Sequence, residues 1–203
     1  MADQYAVIGN PIEHSLSPEI HSEFARATGQ DIAYGRMLAP LNGFRTAALG
    51  FRDKGGRGLN VTLPFKQEAW KLADVHSPGA LEAGAVNTLK FEGGRIAGDN
   101  TDGIGLTRDL KENLGCPVRG RRVLLMGAGG AVYGVMGPLL RELPEQMVVA
   151  NRTLDKAVAL VGHFEKLLKF AARGVTALPY GALPGARFDI VINATSTGLA
   201  DVI

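Results

Sequence analysis

Arg122-Val123-Leu124-Leu125-Met126-Gly127-Ala128-Gly129-Gly130-Ala131 is the stretch on which the fold turns. Its first five residues are nearly all apolar, as expected of a strand buried on both faces in a parallel sheet. Gly127 permits a tight turn. Gly129 lets backbone N–H groups approach a pyrophosphate at the start of the next helix, where the helix dipole favours negative charge. A glycine-rich turn alone is a weak signal. Here a strand precedes it, a helical pattern follows it, and a second apolar strand, Met147-Val148-Val149-Ala150, comes on cue. Together these read as a βαβ dinucleotide-binding unit. Val132 occupies the place of the third glycine of G-x-G-x-x-G. That glycine serves close helix–strand packing, so valine is expected to push the helix slightly outward.

Downstream, the second strand ends at Asn151-Arg152-Thr153. A cofactor with a free ribose 2′-OH usually calls for Asp or Glu about 20 residues past the turn. An arginine stands there instead, and a guanidinium suits a 2′-phosphate through bidentate charge-assisted hydrogen bonds. NADP is therefore expected over NAD. Gly127, Ala128, Gly129, Gly130, Ala131, Asn151, Arg152 and Thr153 would surround it. A helix over 154–171 and strands over 174–178 and 188–193 continue the rhythm. Thr195, Ser196 and Gly198 follow the last strand, at the sheet end where cofactors lie, and are expected to line the cofactor cleft. A doubly wound domain normally has more elements than 102–203 supplies, so this half reads as incomplete at its C-terminal end. The strand at 188–193 then becomes an open edge, which a second copy of the chain can close as a homodimer.

Upstream, residues 4–9 read as a buried strand. Ser17 reads as an N-cap with Pro18 at the first helical position and Gly29 as the stop. Ile20, Phe24 and Ala27 recur at helical spacing between them. Strand 32–38, helix 42–53, strand 57–61 and helix 65–73 follow, then a hairpin of 85–91 and 95–98 across Gly93-Gly94. A helix over 103–114, ending at Gly115, opens the second series. The pattern is α/β throughout. It predicts an N-terminal α/β domain over 1–101 and a Rossmann-like doubly wound domain over 102–203.

The 203 residues include 46% apolar side chains and a net charge of +2, which gives no reason to invoke nucleic acid. No apolar run approaches the roughly 18 residues of a membrane span, and no signal-peptide pattern opens the chain. Cys116 is the only cysteine, so no intrachain disulfide forms, and a reducing cytoplasm fits. His14 and His21 have no Cys or acidic residue at metal-ligand spacing, so no metal is expected.

The remaining chemistry sits in Ser15-Leu16-Ser17-Pro18, Asn60-Val61-Thr62-Leu63-Pro64-Phe65-Lys66 and Asn100-Thr101-Asp102-Gly103. Hydroxyls, amides, one lysine and one aspartate lie at the ends of apolar runs. That inventory suits gripping a small polyhydroxylated molecule and moving a proton on it. Each residue alone has a plainer reading: Ser17 and Asp102 as helix caps, Asn60 and Asn87 as strand-end amides, Lys66 as a solvated helix lysine.

SLSP at 15–18, NVTLPFK at 60–66, GAVNT at 84–88, DNTDG at 99–103, GAGGA at 127–131, NRT at 151–153 and INATSTG at 192–198 occur in this order along nearly the whole chain. In this the chain resembles the shikimate dehydrogenases. The resemblance implies NADP-dependent, reversible reduction of 3-dehydroshikimate to shikimate, a step toward aromatic amino acids. It implies that Ser15 and Ser17 bind the substrate carboxylate. Asn60, Thr62, Asn87 and Asp102 would bind the ring hydroxyls, and Lys66 and Asp102 would carry the proton chemistry. The chain departs from the family pattern at Val132-Tyr133, where relatives carry a small and a basic residue. It also ends before the segment that brings a glutamine to the substrate in relatives. Two alternatives stay open. One is a quinate/shikimate dehydrogenase with relaxed cofactor use, against which Asn151-Arg152 argues. The other is a ligand-binding module with little catalysis.

Overall fold

Asp3–Gly9 forms β1, the first strand of a six-stranded sheet. It is followed by α1 (Ser17–Thr28), β2 (Ile32–Leu38), α2 (Phe44–Asp53), β3 (Gly56–Val61) and α3 (Lys66–Leu72), then β4 (Val75–His76), α4 (Pro78–Ala83), β5 (Thr88–Glu92) and β6 (Arg95–Asp99). The sheet order is β2-β1-β3-β5-β6-β4. All neighbours are parallel except at β5, which runs antiparallel to both β3 and β6. In the computed structural model, which describes residues 2–168 and 174–195, these elements belong to the first of two compact units, Met1–Thr101 and Asp102–Ile203.

The strands of the first unit carry the alternation that half-buried strands require. On β5, Leu89 and Phe91 are buried while Lys90 and Glu92 face out. Ile8, Leu59 and Leu89 meet Phe44 of α2 and the residue just before α3, Phe65, in one core. The two phenylalanine rings stack with centroids 5.2 Å apart. Two X-Pro bonds, Asn10–Pro11 and Leu63–Pro64, are cis.

Two local expectations need correction, and two short elements were not expected. Ser17 is not the N-cap of α1: it is already helical, and Leu16 caps without a side-chain bond. Ser15 supplies the nearby acceptor, its Oγ taking the Ser17 N–H at 3.3 Å. Gly29 does end the helix, in the left-handed region at φ 67°. The apolar spacing on α1 does not mark a core face either. Ala25 is buried, whereas Ile20 and Phe24 are 47% and 60% exposed. Finally, β4 and α4 escape the periodicity argument because they are too short to show a period. Chemistry defines α4 instead: the Ser77 hydroxyl accepts from Ala80 N–H at 3.1 Å, and Gly84 stops it.

The second unit opens with α5 (Asp102–Arg108), which passes into a π-helical turn over Asp109–Asn113 in place of one continuous helix. Then come β7 (Arg122–Met126), α6 (Gly130–Arg141), β8 (Gln146–Ala150), α7 (Leu154–Leu168), β9 (Val175–Leu178) and β10 (Ile190–Asn193). The four strands are parallel, in the order β10-β7-β8-β9. The end of the helix expected over 154–171 lies outside the described residues. Val123, Leu125, Met147 and Val149 form the sheet side of a core completed by Val132, Met136, Leu139, Leu160 and Phe164. Val132 is accommodated there, fully buried. α5 packs against α6 at Gly103, where a Cβ would come within 2.4 Å of the Gly134 carbonyl oxygen and 2.5 Å of Pro138 Cγ.

β10 is fastened to β7 by a charged clip. Asp189 Oδ2 accepts from the Arg122 backbone N–H at 2.9 Å and from its Nε at 3.1 Å, and Oδ1 accepts from Nη2 at 2.9 Å. The guanidinium first, and then the backbone N–H, lowers the Asp189 pKa from 3.8 to about 2. A carboxylate depressed in the folded state stabilises fully above its unfolded pKa and loses that contribution as pH falls through the folded one. Asp189→Asn is therefore expected to flatten the acid side of the stability curve between about pH 4 and pH 2. Chemical unfolding across that window checks it. An unchanged slope would mean that the clip is not part of the acid response.

Candidate active site

The reversal of β5 gathers the polar residues of the first unit. In an all-parallel sheet only strand ends meet at the carboxyl edge. A reversed strand brings its beginning there as well. Asn60, near the end of β3, pairs with Thr88 at the start of β5, and Thr88 pairs with Asp99 at the end of β6. Asn87, Asn100 and Thr101 are thereby carried to the same edge. Val61 N–H donates to the Asn87 carbonyl at 2.7 Å, and Asn87 N–H donates to the Asp99 carbonyl at 3.0 Å. The Asp99 carboxylate accepts a very short hydrogen bond from the Ser77 hydroxyl, and it takes the Asn100 N–H at 2.7 Å. Asn100 in turn donates from Nδ2 to the Ala85 carbonyl at 3.0 Å. Asn87 and Asn100 are the two buried polar residues among those described.

A continuous chain of side-chain hydrogen bonds runs along this edge. The Tyr34 hydroxyl donates to Asn60 Oδ1 at 2.6 Å. Asn60 Nδ2 donates to Thr88 Oγ1 at 3.3 Å, and Thr88 Oγ1 donates to Asn87 Oδ1 at 2.9 Å. Asn87 Nδ2 reaches Thr101 Oγ1 at 3.0 Å, while Asn87 Oδ1 accepts the Thr101 N–H at 3.1 Å. Burial pushes the Tyr34 hydroxyl up to about 12, with the Ser17 hydroxyl pulling the other way. Tyr34 stacks on His21, centroids 4.1 Å apart. Tyr34, Asn60 and Thr88 also help to line a cavity of 470 Å³ in the first unit, which Ser15, Ser17, Thr62 and Lys66 do not line.

The two serines form a hydroxyl pair ahead of α1, Ser15 Oγ to Ser17 Oγ at 3.1 Å. Arg36 steadies the turn, donating to the Ser15 carbonyl at 2.8 Å and pairing with Glu19 at 2.6 Å. Thr62 follows β3, its N–H donating to the Ile8 carbonyl at 3.0 Å. It approaches β1 so closely that a Cβ on Gly9 would meet its Cγ2 at 2.5 Å. Lys66 is the half-buried first residue of α3. Its carbonyl accepts the Val86 N–H at 2.9 Å, which ties the start of α3 to the segment carrying Asn87. Asp102 begins α5 in the second unit.

The residues expected to hold the cofactor lie at one end of the second sheet. Gly127 N–H donates to the Ala150 carbonyl at 2.8 Å, joining the glycine turn to the end of β8, where Asn151, Arg152 and Thr153 follow. Ala194 N–H donates to the Met126 carbonyl at 2.9 Å. Thr195 beyond it is held by Asn193 Oδ1, which accepts its N–H at 3.1 Å and its hydroxyl at 2.8 Å. Ser196 and Gly198 lie outside the described residues. β8 and β10 leave β7 on opposite sides, so the glycine turn stands at the topological switch point, where ligands of open α/β sheets bind. Gly127 has φ +113°, and a Cβ there would lie 3.0 Å from the Ala194 carbonyl oxygen. Gly129 precedes α6 with nothing within 4 Å of a Cβ position, which leaves its backbone open to a phosphate. Ala128 and Ala131 are half-buried, Gly130 opens the helix, and Arg152 is exposed. These residues fit a dinucleotide. Tyr133, at the unusual position, lies edge-on to His163 with centroids 5.6 Å apart. No cluster of potential metal ligands occurs among the described residues.

Sequence reasoning missed Tyr34 and Thr88. Tyr34 stands in no polar motif, and Thr88 closes GAVNT with no role assigned to it; the pairing of β1 with both β2 and β3 brings Tyr34 to Asn60, and the pairing of β3 with β5 brings Thr88. Thr101 was visible in its motif, but its backbone role was not.

Two family models match. One described as the shikimate dehydrogenase substrate binding domain covers residues 7–89, and one described as shikimate / quinate 5-dehydrogenase covers 109–200. The shikimate dehydrogenase (NADP(+)) of Chromobacterium violaceum is 55% identical over 98% of this chain and 71% of its own length. That of Alkalilimnicola ehrlichii is 56% identical over 98% and 72%. The crystal structure of shikimate 5-dehydrogenase from Thermus thermophilus, in complex with NADP(H) and shikimate, superposes with a TM-score of 0.82 at 35% identity, covering 96% of this chain and 69% of that one. With its motifs in order, its two α/β units and relatives of this identity, the chain belongs to the shikimate dehydrogenase family.

Proposed function

We propose that the chain catalyses the NADP-dependent, reversible interconversion of shikimate and 3-dehydroshikimate, with substrate on residues 1–101 and cofactor on 102–203. The observation that carries this reading is the hydrogen-bonded edge of the first sheet. There Asn60 and Asn87, two of the residues that the family pattern assigns to a polyol, are joined in one hydrogen-bonded chain through Thr88. NADP⁺ supplies the hydride acceptor when bound. The chain's own residues do the rest. Ser15 and Ser17 offer hydroxyl donors to the carboxylate at the start of α1, where the helix dipole favours an anion. Asn60, Thr62, Asn87 and Asp102 hydrogen-bond the ring oxygens. As the carbinol C–H leaves as hydride, the O–H proton passes to Lys66 or Asp102, directly or through water. Lys66 also steadies alkoxide character on the reacting oxygen. Asn151, Arg152 and Thr153, with the Gly127–Ala131 turn, hold the adenosine end, and Thr195 lines the same cleft. We further propose a cytoplasmic setting, in keeping with the lone Cys116. A homodimer is the assembly we propose; a monomer in sedimentation would refute it. Among the described residues, no helix is long and apolar enough to cross a membrane.

Shikimate with NADP⁺ is expected to yield reduced nicotinamide with the full chain. No shikimate-dependent reduction by folded protein would overturn the enzymatic reading in favour of a binding module. In the same assay Arg152→Ala is expected to raise KM for NADP⁺ at least about tenfold and to leave NAD⁺ untouched. Hydrogen bonds to a charged group contribute roughly 1.5–3 kcal/mol. An unchanged preference for NADP⁺ would remove Arg152 from the 2′-phosphate site.

A further inference from the structure

We propose that Tyr34 and Thr88 are positioning residues that hold Asn60 as a hydrogen-bond donor only toward the substrate. The proposal rests on the function proposed above.

A backbone N–H can only donate. The Thr101 N–H, 3.1 Å from Asn87 Oδ1, therefore fixes which end of the Asn87 amide faces it. With that end an oxygen, Thr88 Oγ1 at 2.9 Å must spend its single proton on it. Thr88 Oγ1 is then an acceptor toward Asn60, so the atom 3.3 Å away is Nδ2. Asn60 Oδ1 consequently faces Tyr34, whose hydroxyl donates at 2.6 Å. Turning the Asn60 amide over would set its oxygen against a Thr88 oxygen whose proton is already committed. One main-chain N–H thus sets the donor–acceptor sense of four side chains.

Tyr34 can serve as the terminal donor because its ring is held by the stack on His21. Its hydroxyl also stays protonated throughout the neutral range, being pushed up to about 12 by burial. Thr88 uses one of the two Asn60 N–H groups, and the other is what Asn60 offers a ligand. A hydroxyl oxygen and a ketone oxygen both accept. A donor-only Asn60 therefore grips the alcohol and the ketone alike, whichever way the reaction runs. An amide able to turn would also offer its oxygen, which a ketone cannot satisfy.

Tyr34→Phe keeps the ring and its stack and deletes the donor. In the full chain it is expected to raise KM for shikimate about tenfold, as a lost hydrogen bond with its orientation does, with kcat within about threefold. Thr88→Val is expected to do the same. The double variant should be no worse than the worse single one, because both cut one chain. The side-chain amide proton signals of Asn60, identified by their loss in Asn60→Ala, should shift in Tyr34→Phe without any ligand. KM within about twofold of the parent, additive effects in the double variant, or unmoved Asn60 amide signals would each overturn the proposal. If the parent chain neither binds nor oxidises shikimate, the functional reading fails by itself, and the amide signals still decide the orientation.

Discussion

Lys66→Met is expected to lower kcat by about 10²–10⁴-fold, the usual range for a lost acid–base group, while KM for shikimate moves far less. Methionine keeps the apolar stem of the side chain and removes only the ammonium. The backbone at Lys66 is fixed from two sides. It opens α3 directly after Phe65, which is fully buried, and its carbonyl is tied to Val86 N–H at 2.9 Å. The substitution should therefore leave the unit folded, and the loss can be read as chemistry. Steady-state rates over a range of shikimate concentrations check it. A kcat near the parent's would remove Lys66 from the proton chemistry and leave Asp102 to carry it.

Gly103→Val is expected to destabilise the second unit by about 3 kcal/mol or more, the upper end of what overpacking costs. The first added atom would meet the Gly134 carbonyl oxygen at 2.4 Å and Pro138 at 2.5 Å. Neither can turn away, since one is main chain and the other a ring inside α6. Gly105→Ala is the control on the same helix. Nothing lies within 4 Å of its Cβ position, and removing a helical glycine should add roughly 0.5–1 kcal/mol. Denaturant unfolding of both chains settles the matter. If Gly103→Val unfolds with the parent, α5 does not sit on α6 at this residue. The effect should extend to activity, because Asp102 immediately precedes the contact.

How much of this was legible depended on whether the signal was local. The strand over 146–150, the strand over 32–38 and the glycine turn were readable because apolar runs and glycines announce themselves within a few residues. The edges were less so: Ser17 proved to be inside α1, with Pro18 tolerated one position later because the N–H groups of a first helical turn have no intrahelical partner to lose. Apolar spacing on α1 pointed to a face that stays open, because periodicity reports a stripe and not what covers it. In the site, the motif residues were visible, but the hydrogen bonds among them were not. Tyr34 lies 26 positions from Asn60. Their meeting depends on the parallel pairing of β1 with both β2 and β3, which no local pattern contains.

The alternation of β5 has a consequence for error control. Thr88 and Leu89 are consecutive, so they point to opposite faces of the sheet. A slip of one residue against β3 would turn Leu89 and Phe91 toward water and carry Thr88 into the core. Each exposed large apolar side chain would cost about 1.5–3 kcal/mol. The greasy face of the strand thereby proofreads the alignment of its polar face, without touching a ligand. Thr88→Val should accordingly leave the amide-exchange protection of Leu59 and Leu89 as it is in the parent, and a loss of that protection would show that the polar chain helps to set the alignment. Alignment kept by one face leaves the other open to substitution, so the recognition surface can drift toward a new small molecule while the sheet beneath it stays in step.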